Sequence, residues 1–101
     1  MKKENVIIEK SLEFAVRIVN LSKHLQRNKS EFVLSNQVLR RGTSIGANVT
    51  EATQGQSKND FIAKMSIALK EAFETEYWLK LLYRTKYMTK KEYESISADC
   101  D

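Results

Sequence analysis

Proline is absent from the chain, and this absence constrains the fold more than any other feature of the sequence. Proline interrupts helices, and glycine is the next strongest helix breaker. Only three glycines occur among the 101 residues. A chain of this length corresponds to one domain. The sequence therefore favours a single domain, residues 1–101, built from long helices, and argues against a loop-rich β fold.

Apolar residues recur at spacings of three and four over three long segments, which is the pattern of amphipathic helices. The predicted helices run from about Asn5 to about Arg27, from about Glu31 to about Gln54, and from residue 58 to about Lys86. A short fourth helix follows. Because helices joined by short loops pack antiparallel, the predicted fold is all-α: an up-down antiparallel four-helix bundle with a short fourth helix.

Capping residues mark the predicted boundaries. Ser30 is predicted as the N-cap of the second helix and Gly55 as its C-cap. Two capping boxes open the later helices: Ser57 with Asp60, and Thr89 with Glu92.

The first helix carries more apolar surface than one core stripe needs. One stripe contains Ile8, Leu12, Ala15 and Val19, and a second beside it contains Ile7, Phe14, Ile18, Leu21 and Leu25. Either this helix packs between two neighbours, or part of the surface meets another subunit. In the second helix, Gly42 and Gly46 each cost about 1 kcal/mol in a helix interior, which predicts the close approach of another helix.

Residues that carry metal or nucleophilic chemistry are scarce. His24 is the only histidine and Cys100 the only cysteine, so neither a zinc site nor an internal disulfide is expected. We predict a non-enzymatic protein without cofactor or metal, with His24 on the surface and Cys100 as an incidental tail residue. Charges interrupt the N-terminal apolar run, so neither a signal peptide nor a membrane span is expected, and the predicted location is cytoplasmic.

A polar row lies beside the apolar stripe of the second helix. Arg41, Ser44, Asn48 and Glu51 follow at spacings of three, four and three. On the third helix, Glu76 falls in an apolar arc and needs a cationic or donor partner, with Arg41 or Arg40 as the candidates. The row is either a structural network that sets helix register or a recognition site.

A basic row lies on the first helix. Lys3, Lys10, Arg17 and His24 recur every seven residues, with Arg27 nearby. Residues 1–29 hold seven Lys or Arg against three Glu, whereas residues 89–101 hold two Lys against four acids. Such a row is either a solvated flank or a footprint for the phosphates of nucleic acid. Lys10, Arg17 and Arg27 are the first candidates for phosphate contact, and the next are Arg40, Lys80 and Arg84.

Two segments resemble a known family of four-helix bundles, the proteins encoded in 23S rRNA intervening sequences, whose relatives include accessory variability determinants of diversity-generating retroelements. The segments are residues 33–52 (VLSNQVLRRGTSIGANVTEA) and 57–82 (SKNDFIAKMSIALKEAFETEYWLKLL). The patterns that carry the resemblance are Arg41-x-x-Ser44-Ile45-x-x-Asn48-x-x-Glu51 and Ile67-Ala68-Leu69 followed by Glu74-x-Glu76.

The resemblance implies a left-handed four-helix bundle that assembles into a pentameric barrel. It also implies that Arg41, Asn48, Glu51, Glu74 and Glu76 occupy the family's characteristic polar positions. The retroelement relatives use a basic surface with RNA, DNA and a reverse transcriptase. Compared with the family pattern, this chain has a shorter fourth helix, and it has Gly46 where many members have proline.

These features together predict a homo-oligomer, a pentamer by resemblance, that binds RNA or DNA through phosphate contacts. A reverse transcriptase is a further partner if the protein belongs to a retroelement, and no membrane partner is expected. The alternative is a protein-interaction module whose apolar faces carry its function and whose basic row serves solubility.

Overall fold

A computed structural model describes residues 2–55 and 57–100, with side chains described from residue 6 onward. These described residues form four α-helices. The helices are α1 Lys2–Lys29, α2 Val33–Thr53, α3 Lys58–Arg84 and α4 Lys90–Cys100. No strand occurs within the described ranges, so the predicted all-α fold is confirmed.

The central helix is α2, which packs against α1 on one side and α3 on the other. Between α1 and α3, no pair of described Cα atoms comes within 8 Å. The short α4 packs mainly on α3 and only lightly on α1. The molecule therefore consists of three long helices, with a fourth that covers only part of the gap between the outer two.

The core contains one of the two apolar stripes of α1. Phe14, Ile18 and Leu25 are buried there, together with Val38, Leu79, Leu82, Met88 and Ile96 from the other helices. In the other stripe, Leu12 is exposed and its neighbours are half-buried. The excess apolar surface predicted for α1 is therefore partly uncovered in the single chain.

Small residues let α1 and α2 pack closely. A Cβ atom added at Gly42 would lie 2.8 Å from both Cγ atoms of the fully buried Ile18. Further along, Ser22 and Ser35 are buried at the same interface, where the Ser22 hydroxyl donates to the Ser35 carbonyl at 3.5 Å. The predicted close approach of a helix to the glycines of α2 is confirmed at Gly42.

The buried face of α3 differs from the one that apolar spacing in the sequence predicts. The predicted core stripe contains Phe61, Met65, Ala68, Ala72, Leu79 and Leu82, widened by Ile62, Leu69 and Phe73. Ala68, Glu71, Thr75, Leu79 and Leu82 point inward. Ile62, Leu69 and Phe73, predicted to widen the core stripe, are exposed instead, Phe73 by 70%. The inward polar groups make internal bonds, since the Thr75 hydroxyl donates to the Glu71 carbonyl at 2.7 Å and Glu71 pairs with α2.

The start of α2 also differs from the prediction. Ser30 has a φ of 52°, a left-handed conformation that ends α1, so its assignment as an N-cap is wrong. The helix begins at Val33, and the Glu31 carboxylate accepts from the backbone N–H groups of Leu34 and Ser35 at 3.1 and 2.8 Å. Glu31 therefore supplies the cap expected from Ser30. At the other end the C-cap is Gln54, and Gly55 is the next residue.

The two predicted capping boxes lie at the starts of α3 and α4. The Asp60 backbone N–H donates to the Ser57 hydroxyl at 3.1 Å, which confirms the start of α3. At α4, the Thr89 N–H donates to Glu92 Oε1 at 2.8 Å, and the Glu92 N–H donates to the Thr89 hydroxyl at 3.1 Å. The hydrogen bonds that Thr89 makes with the Glu92 carboxyl lower its pKa, and the nearby His24 and Lys29 lower it further.

Candidate functional site

An ionic cluster joins α2 to α3. Arg41 Nη1 lies 3.3 Å from Glu71 Oε1, and Arg41 Nε lies 3.1 Å from Glu74 Oε2. Glu71 is only 7% exposed, whereas Arg41 and Glu74 are partly open to solvent. Among the described residues, Arg41 Nε is buried without a partner in hydrogen-bond geometry, so its contact with Glu74 is ionic rather than directional.

The cluster is suited to positioning helices rather than to chemistry. A buried carboxylate is stable only beside a cation, and Arg41 supplies that charge across the helix interface. The pairing fixes the register of α2 against α3, because a shift of one turn would separate the two charges by about 5 Å.

The other members of the predicted polar row do not join this cluster. The Asn48 amide donates to the Ser44 carbonyl and hydroxyl at 2.9 and 3.0 Å, all within α2. Glu51 pairs with Lys64 at 3.1 Å on an exposed part of the same interface. The row is therefore divided among three separate sets of contacts.

The partner predicted for Glu76 is wrong. Its Oε1 accepts from the Ser97 hydroxyl of α4 at 2.7 Å, and neither Arg41 nor Arg40 pairs with it. Glu76 lies on the side of α3 that faces α4, whereas Glu71 and Glu74 face α2. The buried Glu71 was absent from the predicted network. The sequence signal for Glu71 is its spacing from Leu79 and Leu82, which places the three side chains on the same face of α3.

The predicted basic row on α1 is interrupted at Arg17. Its guanidinium bonds to the Ser95 carbonyl at 3.2 Å and to the Ser95 hydroxyl at 3.0 Å, and it pairs with Asp99. Arg17 therefore anchors α4 to α1. Lys10 and Arg27 are exposed on α1, whereas the side chain of Lys3 lies outside the described residues. His24 is exposed, as predicted.

The remaining candidate cations, Arg40, Lys80 and Arg84, are all exposed. Arg40 lies on the solvent side of α2, and Lys80 and Arg84 lie towards the end of α3. Arg27 and Arg84 thus occupy the same end of the bundle, because α1 and α3 both end where α2 and α4 begin.

This end of the bundle holds the net charge of the chain. We call it the basic end and define it by the exposed cations of residues 23–33 and 84–94: Lys23, Arg27, Lys29, Arg84, Lys86, Lys90 and Lys91. These seven face three carboxylates in the same segments, whereas the rest of the chain holds ten cations and ten carboxylates. The whole formal charge of +4 therefore resides here.

Local carboxylates offset only part of the positive charge of the basic end. Glu31 and Glu92 both bond to backbone N–H groups at helix starts. Within the described part of the chain, no ion pair involves any of the seven cations. The result is a surface of unpaired positive charge on an end about 20 by 22 Å across.

Two apolar faces remain uncovered on opposite flanks of α2. The α1 outer face comprises the exposed Leu12 and Val16 with the half-buried Ile8, Ala15 and Val19. The α3 outer face comprises the exposed residues Ile62, Leu69, Phe73 and Tyr77. Exposed apolar patches on small proteins commonly mark contact surfaces.

A groove of about 500 Å³ opens beside the end of α4, between α1 and α2. Ile7, Phe14, Ile45 and Val49 line its apolar part, and Lys10 lies at its edge. Cys100 closes one side, with its thiol donating to the Ala72 carbonyl at 3.4 Å, so this residue packs on α3 rather than hanging in a tail. No group of His, Cys, Asp or Glu suited to a metal ion occurs in the described residues. Nor, over those ranges, is any helix long and apolar enough to cross a membrane.

Comparison with known proteins agrees with this architecture. The chain is similar to a Bacteroides thetaiotaomicron protein of the S23 ribosomal protein family, which is described as having unknown function. The two share 64% sequence identity and a TM-score of 0.95 over 97% of this chain and 88% of the other. No curated protein matches the chain. The model of the family described as 23S rRNA-intervening sequence protein matches residues 3–101, and the chain belongs to that family.

Proposed function

We propose that this protein is a non-catalytic helical module that associates with copies of itself and binds RNA through phosphate contacts. The observation that carries the proposal is the unpaired positive charge of the basic end. Phosphate neutralisation by Lys and Arg supplies most of non-specific nucleic-acid affinity. The family's description refers to an intervening sequence of 23S rRNA, which makes RNA the first nucleic acid to test.

Self-association is supported by the two outer faces. The two faces differ from each other and lie on different helices. A contact between them is therefore heterologous: the α1 outer face of one copy meets the α3 outer face of the next copy. Heterologous contacts close into rings when the rotation between copies permits. A pentamer is the ring that the family resemblance implies.

The assembly is tested by sedimentation of the parent and of the double variant Leu69→Lys/Phe73→Lys at about 10 µM. Both side chains are exposed, so the variant is expected to keep its helical circular dichroism but to sediment as a monomer. Ala47→Lys is the control, because it adds charge on the exposed side of α2. A parent that sediments at 11.7 kDa would refute self-association.

RNA binding is tested by fluorescence anisotropy with a labelled RNA at a series of salt concentrations. Each phosphate contact contributes a slope of about −0.7 to −0.9 in log K against log salt. We expect a slope that corresponds to several contacts. Absence of binding at low salt would refute the RNA proposal.

The outer faces also support a second candidate, a protein-interaction module with no nucleic-acid partner. In that case the Leu69→Lys/Phe73→Lys variant loses the partner while the charge of the basic end is irrelevant. Binding of that protein partner should not weaken as salt rises, because contact between apolar faces does not depend on ion release.

A further inference from the structure

The basic end contains an exposed aromatic side chain among its cations. Phe32 lies in the connection between α1 and α2, and 53% of its surface is exposed. Val33, the next residue, is 74% exposed. Neither belongs to the hydrophobic core of the described chain. An apolar ring is therefore presented to solvent at the same end of the bundle as the unpaired Lys and Arg.

Three of the cations occupy positions that local conformational preferences disfavour. Lys90 and Lys91 lie in the first turn of α4, where the helix macrodipole repels positive charge. Lys86 has a φ of 70°, a left-handed conformation that side chains rarely adopt. The acid that stabilises the first turn of α4 is Glu92, so the two lysines beside it do not serve helix stability. The charge of this end is thus better explained by a ligand than by folding.

Cations beside an exposed aromatic ring match the chemistry of unpaired nucleic acid. Single strands are bound by positive surfaces that follow the phosphates and by aromatic side chains on which bases stack. A duplex hides its base faces within the helix, so it could use only the cations. The size of the end, about 20 by 22 Å, is enough for several consecutive phosphates.

We propose that the basic end binds single-stranded RNA, with its cations on phosphates and Phe32 stacked on an unpaired base. This inference rests on the proposed function and goes beyond it, because it names the surface and the form of the RNA. It also replaces the α1 row as the interface, because Arg17 of that row is bound to α4.

The surface is tested with two quadruple variants of equal charge. The end variant changes Arg27, Arg84, Lys90 and Lys91 to Gln. Arg27 and Arg84 lie in the last turns of α1 and α3, where a cation stabilises a helix, whereas Lys90 and Lys91 lie in the first turn of α4, where it destabilises one. The effects of the end variant on helix stability therefore oppose each other. The control variant changes Lys10, Arg40, Lys58 and Lys70 to Gln, all exposed and away from this end.

Binding of a labelled oligouridine of about 20 nucleotides, chosen to span the end of the bundle, is measured by anisotropy across a salt series. We expect the end variant to bind at least tenfold more weakly, with a salt slope flatter by up to about 3. The control variant should stay within about threefold of the parent, as expected for charges that make no phosphate contact. Equal weakening of both variants, or weakening of the control alone, would overturn the assignment of the surface and leave RNA binding intact. If the parent itself does not bind, the proposed function fails first.

The role of Phe32 is tested with Phe32→Leu, which keeps an apolar side chain but removes the ring. Loss of one stacking contact should weaken oligouridine binding about fivefold or more and leave binding of a duplex RNA of the same length unchanged. Circular dichroism checks that the fold is kept. If Phe32→Leu binds oligouridine as the parent does, or if the duplex binds as tightly as the single strand, the preference for unpaired RNA is refuted.

Discussion

The two sides of α2 are built from different chemistry. Towards α1, the interface contains Ser35 and Gly42, and the buried Ile18 fills the space beside the glycine. Towards α3, the same helix presents Arg41 to the carboxylates of Glu71 and Glu74. At Gly42 the first side has no space for an added atom, and the second side cannot lose a charge without leaving its partner unpaired. One helix thus achieves specificity by steric fit on one side and by charge on the other.

Removing the charge should have the larger effect. Arg41→Met keeps the apolar stem but leaves Glu71 buried without its cation, and we expect a loss of about 2–3 kcal/mol in the free energy of unfolding. Urea denaturation followed by circular dichroism measures it. In a Glu71→Gln background the same substitution should cost much less, because no buried charge is left unpaired. A loss below about 0.5 kcal/mol for Arg41→Met alone would show that solvent replaces the pair.

Filling the tight side should have the next largest effect. Gly42→Ala places a Cβ 2.8 Å from Ile18, and the expected overpacking of about 1–3 kcal/mol exceeds the gain of about 1 kcal/mol from helix propensity. Gly46→Ala is the matched control, since its Cβ would come no closer than 3.4 Å to Ser11. We expect Gly42→Ala to lower the melting temperature and Gly46→Ala to leave it unchanged or raise it. The opposite order would contradict the close packing at Gly42.

An exposed charge provides the contrast with Arg41. The lowered pKa of Glu92 means that its cap stabilises the fold above the carboxyl's unfolded pKa of about 4.3, and that this stabilisation is lost as pH falls through the lower folded pKa. Glu92→Gln removes the charge of the carboxylate that accepts from the Thr89 backbone N–H, and it should cost up to about 1 kcal/mol at pH 7. The difference in melting temperature between parent and variant should narrow between pH 5 and pH 3. A constant difference would mean that the Glu92 carboxylate adds nothing to the cap.

The smallest effect is expected at the exposed edge of the α2–α3 interface. Lys64→Gln breaks the pair with Glu51, whose side chains are 42% and 58% exposed. Exposed pairs contribute little, so we expect a change below about 0.5 kcal/mol in the free energy of unfolding. A loss comparable to that of Arg41→Met would show that burial does not decide the strength of ion pairs in this interface.

Helix content and boundaries could be predicted from local signals. The capping boxes at Ser57 and Thr89 follow from residue types whose effects act within one turn. The close approach at Gly42 follows from residue type as well, because a glycine leaves space for a neighbouring helix. The start of α2 was misassigned because Ser30 and Glu31 both carry oxygens able to cap, and the backbone turn chose Glu31. The predicted and observed starts of α2 differ by only two residues, and their relative energy depends on how α1 ends.

The candidate site was predicted less completely. Arg41 meets Glu74, one of the polar positions that the family resemblance implies, but Glu76, its predicted partner, turns to α4 and the buried Glu71 takes its place. Helical spacing gives the angle of a side chain around its own helix, not which neighbour stands there. The same limit explains Arg17, whose link to α4 depends on residues about eighty positions away.

The sequence by itself determined that this chain is a bundle of long helices, because the absence of proline, the apolar periodicity and the caps all act locally. The tertiary structure alone decided which apolar stripe is buried. Both α1 and α3 carry more apolar surface than one core can accept, and the packing of three long helices buried Phe14 and Ile18 while it left Leu12 and Phe73 outside. It also brought the cations of two distant loops to one end, since antiparallel packing places the ends of α1 and α3 side by side.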